Sequence, residues 1–278
     1  MLYFSVDDKL CTRCRQCVLD CPSSIIEMDG QSPPKISRKK SIDCIECQHC
    51  LAICPTAAIS ILKRKPADSL PLNRALLPTF EQMNLHMRGR RSIRRYKDEN
   101  VDPDLLKRIL ATVANAPSGV NKRKLMFSVI DDKDVMQNLR ERSLEGLMAA
   151  EKAGRIPEGF DYLKEAAPEY FQNKKDIIFR SAPHALIVSA GPEALCPSED
   201  AALALAYFEL LAQSAGLGTV WWGLFKMLIM VLPELKPLIG IPDDHQYYYA
   251  MLFGMPAIKY ARTVQRDDAA VVRRIVIK

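Results

Sequence analysis

The chain has 278 residues, 48% hydrophobic and 26% charged, an ordinary globular composition with enough apolar surface for one large or two modest domains. Its net charge of +6 lies wholly after residue 62, because residues 1–62 hold seven basic and seven acidic side chains. The opening MLYFSVDDKL carries acids where a signal peptide would be basic, and the most apolar stretch, 219–232, is short and interrupted by Lys226, so a soluble, cytoplasmic protein with no membrane partner is expected.

Eight of the nine cysteines fall within residues 11–54 as two copies of C-x2-C-x2-C-x3-C-P, CTRCRQCVLDCP and CIECQHCLAICP, offset by 33 residues. The likeness runs on, with CPSSIIEM answered by CPTAAISI. Disulfides need an oxidising compartment, and structural zinc is usually announced by paired rather than tripled cysteines. The run is that of iron–sulfur proteins, and residues 1–62 resemble a two-cluster bacterial ferredoxin. That resemblance implies a crossed assignment. Cys11, Cys14, Cys17 and Cys54 would hold one [4Fe–4S] cluster, and Cys44, Cys47, Cys50 and Cys21 the other. His49 then stands beside a completed ligand set and is no ligand itself.

Residues 63–85, with three prolines and a basic start, read as an extended linker that ends in a short helix over 79–88. RGRRSIRR (88–95) follows, five arginines in eight positions. Arg88 and Arg95 are expected to face solvent or pair with Asp98 and Glu99. Asp102 as cap and Pro103 at the first position open a helix whose stripe is Leu105, Leu106, Ile109, Leu110 and Val113. After the APSGVN turn (116–121), LMFSVIDD (125–132) reads as a strand and 133–152 as an amphipathic helix. Residues 153–180 show poor periodicity and read as a variable excursion. HALIVSA (184–190) is a buried strand. Residues 198–216 form a helix apolar nearly all round, with Ser198 as cap and Gly216 as stop. GTVWWG and QYYYAMLFG supply two further strands. No G-x-G-x-x-G opens a helix after a strand, so no dinucleotide-binding unit of that kind is expected. Cys196 reads as a small buried hydrophobe, Tyr247 and Tyr249 as sheet or interface packing, and no histidine has a catalytic partner in the sequence.

Four features in this order resemble the nitroreductase family of FMN flavoproteins over residues 86–278. The Arg-x-Ser-x-Arg pattern is met by Arg90, Arg91, Ser92 and Arg94. The Pro-Ser-x-x-Asn turn is met by Pro117, Ser118, Gly119 and Asn121. The long helix runs into Gly-Leu-Gly-Thr, and the closing Gly254 and Pro256 are followed by Lys259, Arg262 and Arg266. The resemblance implies an α+β sandwich, a central and mainly antiparallel sheet flanked by helices. It implies a homodimer with FMN at the subunit interface. The arginine motif, with Arg262 and Arg266, would hold the phosphate and ribityl chain, as suits a forked and permanently charged donor. The Pro117–Gly119 turn and Asn121 would contribute from the partner subunit. Trp221, Trp222, Gly223 and Leu224 would line the isoalloxazine, with the Gly223 amide at N5. Many family members place an acid where this chain has Gly223.

The expected division is therefore 1–62 as ferredoxin domain, 63–85 as linker and 86–278 as FMN domain. The function implied is a relay from a low-potential donor, or NAD(P)H, through two clusters and FMN to a small organic acceptor such as a nitro, quinone or enone compound. A pure electron carrier or redox sensor stays open, as does a flavin-dependent dehydrogenase or dehalogenase on the same site. A nucleic-acid partner is not expected, since the arginines lack interleaved aromatics beyond Tyr96 and no binding motif accompanies them. The catalytic residues are not assigned.

Overall fold

The computed structural model describes residues 2–266 and 270–277. The chain divides into two compact units, one of 1–77 with 120–122 and one of 78–119 with 123–278.

In the first unit β1 (Phe4–Val6) pairs antiparallel with β4 (Ile59–Ile61), and β2 (Ile26–Glu27) with β3 (Lys35–Ile36). Two one-turn helices, α1 (Gln16–Leu19) and α2 (His49–Ala52), each start inside a cysteine run. The internal repeat of the sequence is a repeat of backbone conformation. Positive φ recurs at Arg13 and Glu46 (55° and 58°), at Arg15 and Gln48 (61° each) and at Ser24 and Ala57 (51° and 56°). Each pair is 33 residues apart. Single left-handed residues beside right-handed ones turn successive N–H groups to one side, a concavity that favours anions and iron–sulfur groups. The small core is Ile25, Ile26, Leu51, Ile59 and Ile61, packed around Cys17 and Cys50.

The second unit is built on a four-stranded antiparallel sheet. Its strands are β5 (Leu125–Ile130), β6 (His184–Ala190), β7 (Gly218–Trp221) and β8 (Tyr247–Gly254), in the order β5-β6-β8-β7. The period of two sorts the side chains between two cores. Leu186, Val188, Met251 and Phe253 face one layer, and Ala185, Ile187, Ala250 and Leu252 face the other. The first layer is covered by α4 (Pro103–Val113) and α7 (Pro197–Ser214). The second is covered by α5 (Lys133–Lys152), α6 (Asp161–Asn173), α8 (Leu224–Val231) and α9 (Leu235–Leu238). Both faces of β6 are therefore buried, which is why HALIVSA carries no alternation in its sequence. Among the described residues no helix is long and apolar enough to cross a membrane.

Several expectations change. The stretch read as a poorly periodic excursion contains α6, whose pattern is interrupted by Pro168 and whose buried face is only Leu163, Ala166 and Ala167. Cys196, not Ser198, occupies the N-cap position of α7, because Pro197 takes the first helical position; the Ser198 hydroxyl donates to Glu199 instead. Cys196 is only half-buried. Asp98 pairs with Lys133 and Glu99 with Lys97, so neither is the partner of an arginine in the run. Within residues 63–85 two short 3-10 turns, Pro66–Asp68 and Arg74–Leu76, precede α3 (Phe80–Gly89).

Candidate functional site

The first unit brings the eight clustered cysteines together in two foursomes. One cavity is lined by Cys11, Cys14, Cys17 and Cys54, with Met28, Pro34 and Ile59 among its walls. The other is lined by Cys21, Cys44, Cys47 and Cys50, with Ile25, Ile36 and Ile61. Each cavity takes three thiols from one run and one from the other. Among the described residues no group of three or more His, Cys, Asp or Glu converges closely enough for a single metal ion; the thiols stand around a space. Soft sulfur donors suit iron–sulfur clusters. Burial pushes the free Cys50 thiol up to about 12, against the Leu51 amide and with smaller help from Cys47, Cys44 and Cys21. Burial also raises Cys17 and Cys44, whereas the exposed Cys14 is lowered by the Gln16 amide. The Ala58 amide donates to Cys54 Sγ at 3.2 Å. The donor set, the apolar part of the walls and the inward amides fit a [4Fe–4S] cluster in each cavity. His49 Nδ1 lies 3.4 Å from Asp20, outside either foursome.

In the second unit the arginine run is laid out by backbone contacts. The helix α3 opens with a capping box between Thr79 and Gln82. Its far end is tied to α7, where Gln213 Nε2 donates to the His86 carbonyl at 2.6 Å and His86 Nε2 meets the Leu210 carbonyl at 2.9 Å. Beyond α3 the chain runs extended. The Ile93 amide donates to Thr219 O at 2.8 Å, the Lys97 amide to Met255 O at 2.8 Å and the Ala257 amide to Arg95 O at 2.9 Å. Gly218 permits this approach, since a Cβ there would lie 2.7 Å from the Ile93 side chain. The arginine motif and the Gly-Leu-Gly-Thr motif are thus two halves of one packing contact.

The run lines a groove of about 380 Å³ with Met87, Arg88, Arg90, Arg91, Val264 and Arg266. Arg88 lines it too while remaining exposed to solvent. Arg91 Nη2 donates to the Arg88 carbonyl, and Arg91 Nε is closed off from solvent with no hydrogen-bond partner. Four guanidinium groups around one opening, one with an orphaned donor, suit a phosphate. Arg94 and Arg262 are exposed and are not among the groove's lining residues; Arg94 donates to the Ser92 carbonyl at 3.4 Å. The Ser92 backbone bridges to Thr219.

Beside the groove lies a residue the sequence reading missed. Glu209, on α7, is 6% exposed and accepts from Arg90 Nη1 at 3.1 Å, Thr219 Oγ1 at 3.3 Å and Trp221 Nε1 at 3.2 Å. Its only sequence signal is a carboxylate within the apolar stretch 201–212 of α7, well past the acidic first turn.

The remaining predicted residues are dispersed. Trp221 is half-buried against Tyr249, with ring centroids 5.7 Å apart. Trp222 is a correction: its indole is 2% exposed and packs on Phe179 and Phe225, so the side chain is core. Gly223 is exposed and precedes α8, with Leu224 half-buried after it; a Cβ on Gly223 would meet the Tyr249 hydroxyl at an ordinary 3.5 Å. The turn at Pro117, Ser118 and Gly119 is held by the other end of α7. Asp200 Oδ1 accepts from the Gly119 amide at 2.8 Å, and Ser118 Oγ accepts from Arg123 N at 2.9 Å. Asp200 and Glu209 are nine residues apart, about 14 Å along a helix. Asn121 groups with the first unit, where its side-chain amide donates to Ile45 O at 2.8 Å. Histidines 86, 184 and 245 all have structural partners, in Leu210 O, the Val101 amide and Ser189 Oγ.

Comparison with known proteins is consistent with this geometry. Residues 87–255 match the nitroreductase family and residues 10–59 the 4Fe-4S dicluster domain. A curated relative, the NADH dehydrogenase of Thermus thermophilus, is 26% identical over 192 residues, covering 66% of this chain and 90% of its own. An FMN-bound nitroreductase structure from Bacteroides fragilis superimposes with a TM-score of 0.54 at 23% identity, covering 69% of this chain and 99% of that one. Another from Desulfitobacterium hafniense gives 0.55 at 20% identity, covering 71% and 100%.

Proposed function

The chain belongs to the nitroreductase family and carries a 4Fe-4S dicluster domain ahead of that fold, and from that premise we propose that it is an oxidoreductase passing electrons from a low-potential donor through two [4Fe–4S] clusters and FMN to a small organic acceptor of the nitro, quinone or enone type. The observation that carries the proposal is the presence on one chain of two four-cysteine cavities and a four-arginine groove. When bound, the clusters supply one-electron transfer and FMN couples one-electron to two-electron chemistry.

The chain's own residues do the rest. Cys11, Cys14, Cys17 and Cys54 hold one cluster and Cys21, Cys44, Cys47 and Cys50 the other, with backbone N–H groups turned toward the sulfurs. Arg88, Arg90, Arg91 and Arg266 neutralise the FMN phosphate, and Arg91 Nε gains there the partner it otherwise lacks. The segment Trp221–Leu224 lies along the isoalloxazine through its backbone, since the Trp222 ring is committed to the core. The protein works as a cytoplasmic homodimer, in which the Pro117–Gly119 turn serves the partner's flavin. Its distance along α7 from the arginine groove supports that division of labour.

Anaerobic stopped-flow tests the direction of flow. With a reduced ferredoxin as donor, iron–sulfur bleaching should precede flavin bleaching, and the reduced protein should then reoxidise on adding a nitroarene or quinone. If NAD(P)H reduces the flavin quickly while the reduced ferredoxin does nothing, the relay is wrong and the protein is a direct nicotinamide oxidase or reductase. If it is readily reduced but turns over no organic acceptor, it is a carrier.

A further inference from the structure

We infer that Glu209 is a positioning residue for flavin phosphate binding, acting through Arg90; this rests on the groove assignment made above. A carboxylate buried in an apolar helix costs desolvation, and a buried ion pair is on average no better for stability than a hydrophobic pair of the same shape. Leu205, Phe208 and Ala212 around it are fully buried apolar residues that define what packing alone would place there. The carboxylate is used in full nonetheless. Oε1 receives Arg90 Nη1 and Thr219 Oγ1, and Oε2 receives Trp221 Nε1. It thereby joins the arginine run to β7, the two segments that Gly218 and Ile93 already press together. Counting side chains alone, Arg90 is 29% exposed and Glu209 8%. Arg90 has five N–H donors and gives one to Glu209, while the same side chain lines the groove. A long, flexible arginine is held by its inner edge so that its outer edge is presented to the groove in one orientation. Arg91, in contrast, has a buried Nε with no partner. The groove therefore contains one arginine braced from behind and one awaiting its acceptor.

Replacing Glu209 with Gln removes the charge that holds Arg90 and leaves one acceptor oxygen, enough for Trp221 at the Oε2 position or for Arg90 and Thr219 at the Oε1 position, but not for both. The test is titration of flavin-free, full-length protein with FMN and with riboflavin, followed by quenching of flavin fluorescence. Riboflavin has the same ring and ribityl chain but no phosphate. The wild-type protein should prefer FMN. Glu209→Gln should weaken FMN by about tenfold, the size of one charge-assisted hydrogen bond, and leave riboflavin unchanged. In an Arg90→Gln background the same change should have no further effect. Arg90→Lys, which keeps the charge but cannot serve Glu209 and the groove together, should repeat the selective loss and reads the same link if Glu209→Gln fails to fold. Equal weakening of both flavins would make Glu209 merely structural, and unchanged or tighter FMN binding would make it a bystander to the phosphate; either overturns the inference while leaving the groove standing. A wild-type protein that binds the two flavins equally would overturn the groove itself and this inference with it.

Discussion

Arg91 keeps a guanidinium Nε shut away from solvent without a partner, beside a groove shared with Arg88, Arg90 and Arg266. Arg91→Ala should therefore lower the flavin content of the purified protein, with an affinity loss of about tenfold or more. Iron content should be unchanged, because no cysteine lies in that groove. Equal flavin retention would place the phosphate elsewhere. His184 gives a pH prediction of its own. It is fully buried, and burial lowers its pKa despite the opposing charges of Asp131 and Asp132. The unfolded chain then takes up this proton first, so the stability His184 confers is complete above about pH 6.5 and declines as pH falls below it. A comparison of thermal midpoints from pH 8 to pH 5.5 should show a steeper acid limb in wild type than in His184→Gln; parallel curves would contradict this. The residues differ in how far the sequence exposed them. The cluster cysteines were legible because thiolates on a tight loop need fixed spacing. Glu209 was not, since the arginine it braces lies 119 residues away and leaves no local pattern.

Among the elements, the seam between the arginine run and β7 controls the groove. Gly218→Ala puts a Cβ into Ile93, and the extended chain there must give way. About 1–3 kcal/mol of destabilisation is expected from such overpacking, together with loss of flavin, measured by chemical denaturation and flavin content. A variant as stable as wild type, with flavin retained, would show that the seam is softer than its geometry implies. Most elements could be read from periodicity and caps: Asp102 with Pro103 opens α4, and the strand read over 125–132 spans Leu125–Ile130. The helix α6 was hidden because Pro168 breaks its pattern and small alanines make up most of its buried face. What holds its neighbourhood is tertiary. Asp176 caps the Phe179 and Ser181 amides, and Arg140 Nε approaches Asp176 Oδ2 at 2.8 Å, off the hydrogen-bond axis. No window of sequence contains both partners.

At the scale of the whole molecule, the two cysteine runs are interleaved and the cavities are not the runs. Cys54→Ser should damage the cluster held by Cys11, Cys14 and Cys17, and Cys21→Ser the one held by Cys44, Cys47 and Cys50. Electron paramagnetic resonance of the reduced variants should group Cys54→Ser with Cys11→Ser; grouping with Cys44→Ser would refute the crossing. The fusion itself was legible, because each half carries its own dense motif. The identity of the acceptor was not, since recognition of a small molecule depends on the shape of an assembled surface that single-residue patterns do not encode. The central claim is that one chain carries two four-iron clusters and a flavin that exchange electrons. Anaerobic reductive titration of the purified protein, with metal and flavin analysis of the same sample, tests it most directly. The expected result is about eight irons and about one FMN per chain, with about four electrons taken up before bleaching is complete, one for each cluster and two for the flavin. Zinc in place of iron, or full reduction after about two electrons, would contradict it.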